Sequence, residues 1–173
     1  GEQAVLTKSV KTIVDQVEAM KRLVNDFRDY ARLPAAELKP VDLNALVTDV
    51  LHLYESDSEA TPVRLELDAR CPMVLGDQQQ LRQVIHNLLQ NAKDASETAG
   101  HHAQTNQSVV LRTQYQHGVG RVRLSVLDWG GGFPEHILKR AFEPYVTTKA
   151  KGTGLGLAVV KKIADEHGSR VDI

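Results

Sequence analysis

The stretch Leu127–Gly168, LDWGGGFPEHILKRAFEPYVTTKAKGTGLGLAVVKKIADEHG, carries glycine clusters on both sides of a basic segment and ends in a run with helical periodicity. Glycine permits tight turns and close backbone approach, and a helix start presents unpaired amide donors to an anion. An acid ahead of one glycine turn and a helix behind the other make a nucleotide the first ligand to test.

Asp128 stands at the end of an alternating strand, where a carboxylate suits the exocyclic amine of adenine and repels the carbonyl oxygen of guanine. The competing reading is a turn-initiating Asp before glycine. Gly130, Gly131 and Gly132 would let the backbone pass closely under a flat base. Gly152, Gly154 and Gly156 lead straight into LAVVKKIADEH, so a phosphate there would meet the positive end of a helix. Lys149 and Lys151, just upstream, either add point charges to that phosphate or form a solvated basic loop. The cluster is not a Walker loop, because no Gly-Lys-Ser/Thr follows, and its spacing is not that of a Rossmann turn.

The segment QQQLRQVIHNLLQNAKDASE reads as a helix from about Gln78 to Glu97, with Leu81, Val84, Ile85, Leu88, Ala92 and Ala95 on the face expected to meet a sheet. Asn87, Asn91 and Asp94 line up on its flank. Amide and carboxylate oxygens suit hard Mg²⁺, while the alternative is bonding to neighbouring backbone. His86 falls on the polar side and is expected to be solvated.

Working outward toward the N-terminus, Leu6, Val10, Ile13, Val17, Met20, Val24, Phe27 and Ala31 recur at alternating steps of four and three. That is the seam of a helix packed in a bundle, widened by Leu23 and Tyr30. RLPAAELKP breaks the pattern at Pro34 and Pro40, which places a helical arm at 1–34, a linker at 35–40 and a globular domain at 41–173. The domain should open with an extended stretch at Val41–Leu43 and a helix over about Asn44–Tyr54. VRLELDA and PMVLG read as short strands, and VVLRTQYQ and RVRLSVLD as a hairpin around HGVG. Pro134 starts a short helical piece, and a last helix runs from about Leu155 to His167, stopped by Gly168. SRVDI reads as the opening of a further strand. Mixed helices and strands without regular alternation predict an α+β fold, a mixed or antiparallel sheet with helices on one face.

The 173 residues have a net charge of −1 and ordinary apolar and charged fractions, so no global basic field draws the chain to nucleic acid or an anionic membrane. The lone Cys71 excludes an internal disulfide framework and a cysteine zinc site, and fits a reducing compartment. No apolar run approaches membrane-spanning length, and GEQAVLTK lacks signal-peptide features. Any anchor of a parent protein would lie outside this sequence.

An Asn-bearing helix, Asp-x-Gly-x-Gly after a strand and Gly-x-Gly-x-Gly before a helix, in that order, resemble the ATP-binding domain of sensor histidine kinases. These belong to the superfamily of gyrase, heat-shock chaperone, histidine kinase and MutL ATPases. NLLQNAKDA resembles its N-box, DWGGGFP the first glycine box, FEPYVTTK the F-box region and GTGLGL the second glycine box. VDQVEAMKRLVNDFRDYARLP is similar to the second helix of the dimerisation and histidine-phosphotransfer bundle. The wording is similar to nitrogen-regulation kinases of the NtrY and NtrB type.

The resemblance implies a two-layer α/β sandwich of the Bergerat type behind one long bundle helix. It also implies ATP and Mg²⁺ as ligands, with Asn91 on the metal and Asn87 near the phosphates, both counted with Lys149 as catalytic. Asp94, Asp128, Gly130 and Gly132 would contact the nucleotide. So would Thr148, Lys149, Lys151, Gly152, Thr153, Gly154, Leu155 and Gly156 along the triphosphate. Phe142 would anchor a mobile lid or simply pack in the core. The implied partners are a second copy through the bundle helix and a response-regulator receiver domain, for a cytoplasmic portion of a parent anchored in a bacterial inner membrane.

The sequence departs from that pattern in two ways. No His matches the family's phosphoacceptor H-box, since His52, His101, His102, His117, His136 and His167 all fall inside or after the globular domain. Trp129 stands where the family often carries Asn. Hydrolytic relatives place a general-base glutamate at the position of Asn87, and an amide cannot take that proton. This favours phosphoryl transfer to a histidine; ATP hydrolysis and a non-catalytic interaction module are the alternatives.

Overall fold

A computed structural model describes residues 1–56, 61–98, 108–147 and 152–173. Helix α1 (Glu2–Ala31) forms the arm and buries none of its residues. Its stripe is open to solvent, with Leu6 65%, Met20 65% and Val24 64% exposed.

The domain begins with β1 (Lys39–Val41), which pairs antiparallel with β3 (Val74–Gly76), Pro40 opposite Leu75. The strand starts two residues before the expected stretch and takes in Pro40, which an edge strand tolerates because proline's missing N–H need not face a partner. Asp42 caps α2 (Leu43–Glu55) by accepting from Ala45 N. Helix α3 (Gln78–Thr98) is capped by Asp77, whose Oδ1 accepts from the amides of Gln79 and Gln80, both at 3.1 Å.

A second, mixed sheet holds β2 (Val63–Glu66), β4 (Val109–Gln116) and β5 (Arg121–Leu127). The strand order is β2-β4-β5, with β2 parallel to β4 and β5 antiparallel to it. The β4–β5 hairpin turns at Gly120, whose φ is +62°. Alternation puts Val109, Leu111 and Thr113 inward and Arg112 outward. Leu46, Val47, Ile85, Leu89, Val109 and Leu111 form the core between α2, α3 and the inner face of this sheet.

On α3 the fully buried line is Ile85, Leu89 and Ala92, while Leu88 is only half-buried. The expected face is therefore turned by one residue, because α3 packs against α2 and α5 as well as the sheet edge. His86 is exposed, as its polar side required.

Helices α4 (Glu135–Leu138) and α5 (Gly156–Glu166) complete the fold. Leu155, Val159, Val160 and Ile163 bury α5, and His167 ends it. His167 Nε2 accepts from Asp77 N at 2.9 Å while Nδ1 faces Ile163 O at 2.8 Å. An imidazole accepting at Nε2 must carry its proton on Nδ1, so one neutral ring ties the end of α5 to the start of α3. The strand expected from SRVDI does not form: residues 169–173 pair with no strand among the described residues, and an extended segment without a ladder partner has no sheet to join.

Candidate functional site: a cleft along α3

Helix α3 forms the floor of the site. Asn87 donates from Nδ2 to Gly156 O at 3.3 Å, bringing the first residue of α5 against its flank. One turn further, Asn91 faces the same glycine: a Cβ at Gly156 would stand 3.8 Å from Asn91 Oδ1. Another turn on, a Cβ at Gly130 would lie 2.7 Å from the Cβ of Ala95 and 3.1 Å from its carbonyl. Only a residue without a side chain lets the turn after β5 lie so close to α3. The second glycine cluster therefore abuts Asn87 and Asn91, and the first abuts Ala95. At 1.5 Å rise per residue the stripe from Asn87 to Ala95 spans about 12 Å.

The other side of this stripe is the start of α5. Its N-cap, Leu155, offers no side-chain hydrogen bond to the helix start, and first-turn amides lack intrahelical partners. Gly154 has φ +70°, and a Cβ there would stand 2.5 Å from Tyr145 C and 2.6 Å from Val146 N. The same two segments are joined by Tyr145 N donating to Gly154 O at 2.9 Å. Tyr145 itself takes φ +66°, a left-handed conformation rare for an aromatic residue. Phe142 is half-buried beside buried Ala141 in the turn between.

At the other end Asp128 is exposed, and its Oδ1 accepts from Gly130 N at 2.9 Å. The turn-initiating role is thus realised and occupies Oδ1. Trp129, 53% exposed, donates from Nε1 to Ser108 O at 3.1 Å, which holds the turn to the start of β4. Asp94 accepts from Gln90 Nε2 at 3.0 Å. Leu155, counted among the contact residues, buries its side chain completely in the core, so only its backbone faces the loop. Thr148, Lys149 and Lys151 lie outside the described residues.

The residues present fit a hard cation held beside phosphates. The Asn91 amide is half-buried, and a Cβ at Gly156 would be in van der Waals contact with both its Oδ1 and its Nδ2. Amide oxygens are ligands of the hardness Mg²⁺ prefers.

Sequence reasoning missed several contacts. Asp26 on the arm accepts from Thr153 Oγ1 at 2.8 Å, and Asp29 accepts from Gln83 Nε2 at 3.0 Å. Lys162 on α5 donates to Tyr30 O at 2.6 Å, with its ammonium 5.0 Å from the centroid of the Tyr30 ring. These contacts separate partners by up to 132 positions and leave no local signal. Leu89 was legible, since it continues Ile85 at a spacing of four.

The family model described as "Histidine kinase-, DNA gyrase B-, and HSP90-like ATPase" matches residues 76–173. The chain belongs to this family. It is 33% identical over 159 residues to the sensor histidine kinase ZraS of Klebsiella oxytoca, covering 91% of this chain and 33% of that protein. It is 32% identical over 181 residues to a putative NtrY-like sensor histidine kinase of Rickettsia bellii, covering 99% of this chain and 27% of that protein. Among solved structures, full-length ShkA in complex with AMPPNP superposes with a TM-score of 0.72 at 32% identity, covering 93% of this chain and 34% of that one. Histidine kinase ThkA in complex with the response regulator TrrA gives 0.69 at 25% identity, covering 95% and 45%. The chain thus spans about a third of the length of the curated relatives it matches. Among the described residues no helix is long and apolar enough to cross a membrane.

Proposed function

We propose that this chain is the ATP-binding catalytic part of a sensor histidine kinase, presenting the γ-phosphoryl group of ATP to a histidine on a bundle helix outside this sequence. The observation that carries this reading is the convergence of both glycine clusters on one stripe of α3, through Asn87–Gly156 and Gly130–Ala95. In this reading residues 1–34 are the second helix of the bundle, 35–40 the linker and 41–173 the ATP-binding domain.

Asp128 reads the adenine amine through the carboxylate oxygen not used in its turn, and the glycine turn above Ala95 accommodates the base. The α5 amides and Gly152–Gly156 hold the triphosphate, with Lys149 and Lys151 adding charge. Asn91, assisted by Asn87, would hold Mg²⁺, which when bound neutralises charge on the phosphate oxygens. The acceptor imidazole supplies its own nucleophilic nitrogen: its bond to the γ-phosphorus forms as the bond from that phosphorus to the β-γ bridging oxygen breaks, and ADP leaves. The site's task is positioning and charge neutralisation, which needs no general base. A neutral amide at Asn87, already engaged with Gly156 O, accords with transfer rather than hydrolysis.

ShkA's complex with AMPPNP supports the nucleotide, and ThkA's complex with TrrA supports a response-regulator aspartate as the next acceptor. The exposed apolar seam of α1 supports pairing with a second copy. The parent is proposed to be membrane-anchored by segments outside this sequence.

The test mixes the chain with a separately supplied helical hairpin bearing an H-box histidine and labelled Mg-ATP. Acid-labile, base-stable label on the hairpin is the expected result. Inorganic phosphate without it would mean a hydrolase, and neither product would leave a non-catalytic module.

A further inference from the structure

The second glycine cluster is tied to the arm. Thr153 Oγ1 donates to Asp26 Oδ2 at 2.8 Å and accepts from Leu155 N at 3.3 Å. A threonine hydroxyl has one proton, and Asp26 holds it. The Leu155 amide, at the N-cap of α5, is in turn directed at that hydroxyl. Two donors that a phosphate in this loop would seek, the Thr153 hydroxyl and the Leu155 amide, are therefore committed to a relay ending on a carboxylate of α1. Both Asp26 and Thr153 are half-buried, which weakens solvent screening of that charge.

We propose that Asp26, Thr153 and Leu155 form a latch whose closure and triphosphate binding oppose each other, so that nucleotide occupancy sets whether the arm stays docked on the catalytic domain. This rests on the nucleotide reading of the cleft and adds a regulatory contact to it. Two effects act in the same direction. The Thr153 hydroxyl and the Leu155 amide cannot serve the carboxylate relay and a phosphate oxygen in full at once. The Asp26 carboxylate also brings negative charge to the loop that must accept a polyanion. A ligand moves such an equilibrium only through its difference in affinity for the two states, and the latch supplies that difference. The other docking bonds, Asp29 to Gln83 and Lys162 to Tyr30 O, lie away from the glycine loop and hold the arm without touching its donors.

The test measures binding of a magnesium complex of a non-hydrolysable ATP analogue to the full chain by calorimetry. Asp26→Asn removes the charge and keeps an acceptor; Asp26→Ala removes both. Affinity is expected to rise about three- to tenfold in the first and further in the second, the scale of one charge-assisted hydrogen bond offset by solvent exposure. Asp29→Asn makes the same charge change three positions along α1 and is expected to alter affinity less than about twofold. By reciprocity the analogue should speed amide hydrogen exchange over residues 26–34 of the wild-type chain.

Equal affinity in wild type and Asp26→Asn, an equal gain in Asp29→Asn, or unchanged exchange on ligand addition would each overturn the latch while leaving the nucleotide site intact. Binding by neither wild type nor Asp26→Ala would remove the nucleotide reading, and the latch with it.

Discussion

Asn87 and Gly156, 69 positions apart in the chain, meet through a hydrogen bond from Asn87 Nδ2 to Gly156 O at 3.3 Å. That contact sets the flank of α3 against the start of α5, and everything proposed for the triphosphate depends on their being neighbours. Asn91, one turn along, faces the same glycine.

Asn91→Ala is expected to abolish magnesium-dependent nucleotide binding, because the truncation removes the amide oxygen proposed to hold the metal. Changing even a residue that supports a metal ligand costs about 10- to 100-fold in metal affinity, so losing the ligand itself should cost at least about tenfold. Titration calorimetry with and without Mg²⁺ checks this. An affinity unchanged from wild type would contradict the assignment.

Asp128→Asn separates base recognition from folding. The Asn side-chain oxygen still accepts from Gly130 N, so the turn survives, while the carboxylate offered to the adenine amine is replaced by a neutral amide. A hydrogen bond to a charged group contributes about 1.5–3 kcal/mol, so ATP should bind roughly ten- to a hundredfold more weakly. Competition with GTP is the control, since equal loss for both nucleotides would place adenine reading elsewhere.

Gly154→Ala should destabilise the domain. Its φ of +70° strains any L side chain, and the new Cβ would meet Tyr145 C at 2.5 Å, backbone that cannot swing aside. A cost of about 1–3 kcal/mol or more follows. At Gly131 nothing lies within 4 Å of a Cβ, so Gly131→Ala should stay within about 0.5 kcal/mol of wild type. Denaturant midpoints compare the two variants directly.

Asp77 gives stability a dependence on acid pH. The amides of Glu37, Gln80 and Gln79 hydrogen-bond its carboxylate and hold its pKa below the ordinary value of 3.8, against a smaller opposing effect of burial. The folded state thus binds this proton less readily than the unfolded chain. Its stabilisation is fully present above the unfolded value and is lost as pH falls through the lower folded one. Asp77→Ala should cost about 1 kcal/mol near neutral pH, as loss of a helix cap does, and make the remaining acid denaturation shallower. Unfolding curves from pH 7 down through pH 3 read both effects.

Much of this protein was legible in its residues. The heptad of α1, the period-two hairpin of β4 and β5, the Asn-bearing helix and the two glycine clusters are local patterns, because helix and strand periodicity and glycine's backbone freedom act within a few residues. Tertiary structure decided what lies opposite each pattern. It turned the buried line of α3 onto Leu89, set Pro40 in an edge strand, matched Gly130 to Ala95 and Gly154 to a left-handed Tyr145, and hung Thr153 from Asp26. Those pairings join positions far apart in the chain. Their energies come from packing and hydrogen-bond geometry that exist only once the helices and the sheet have closed on one another.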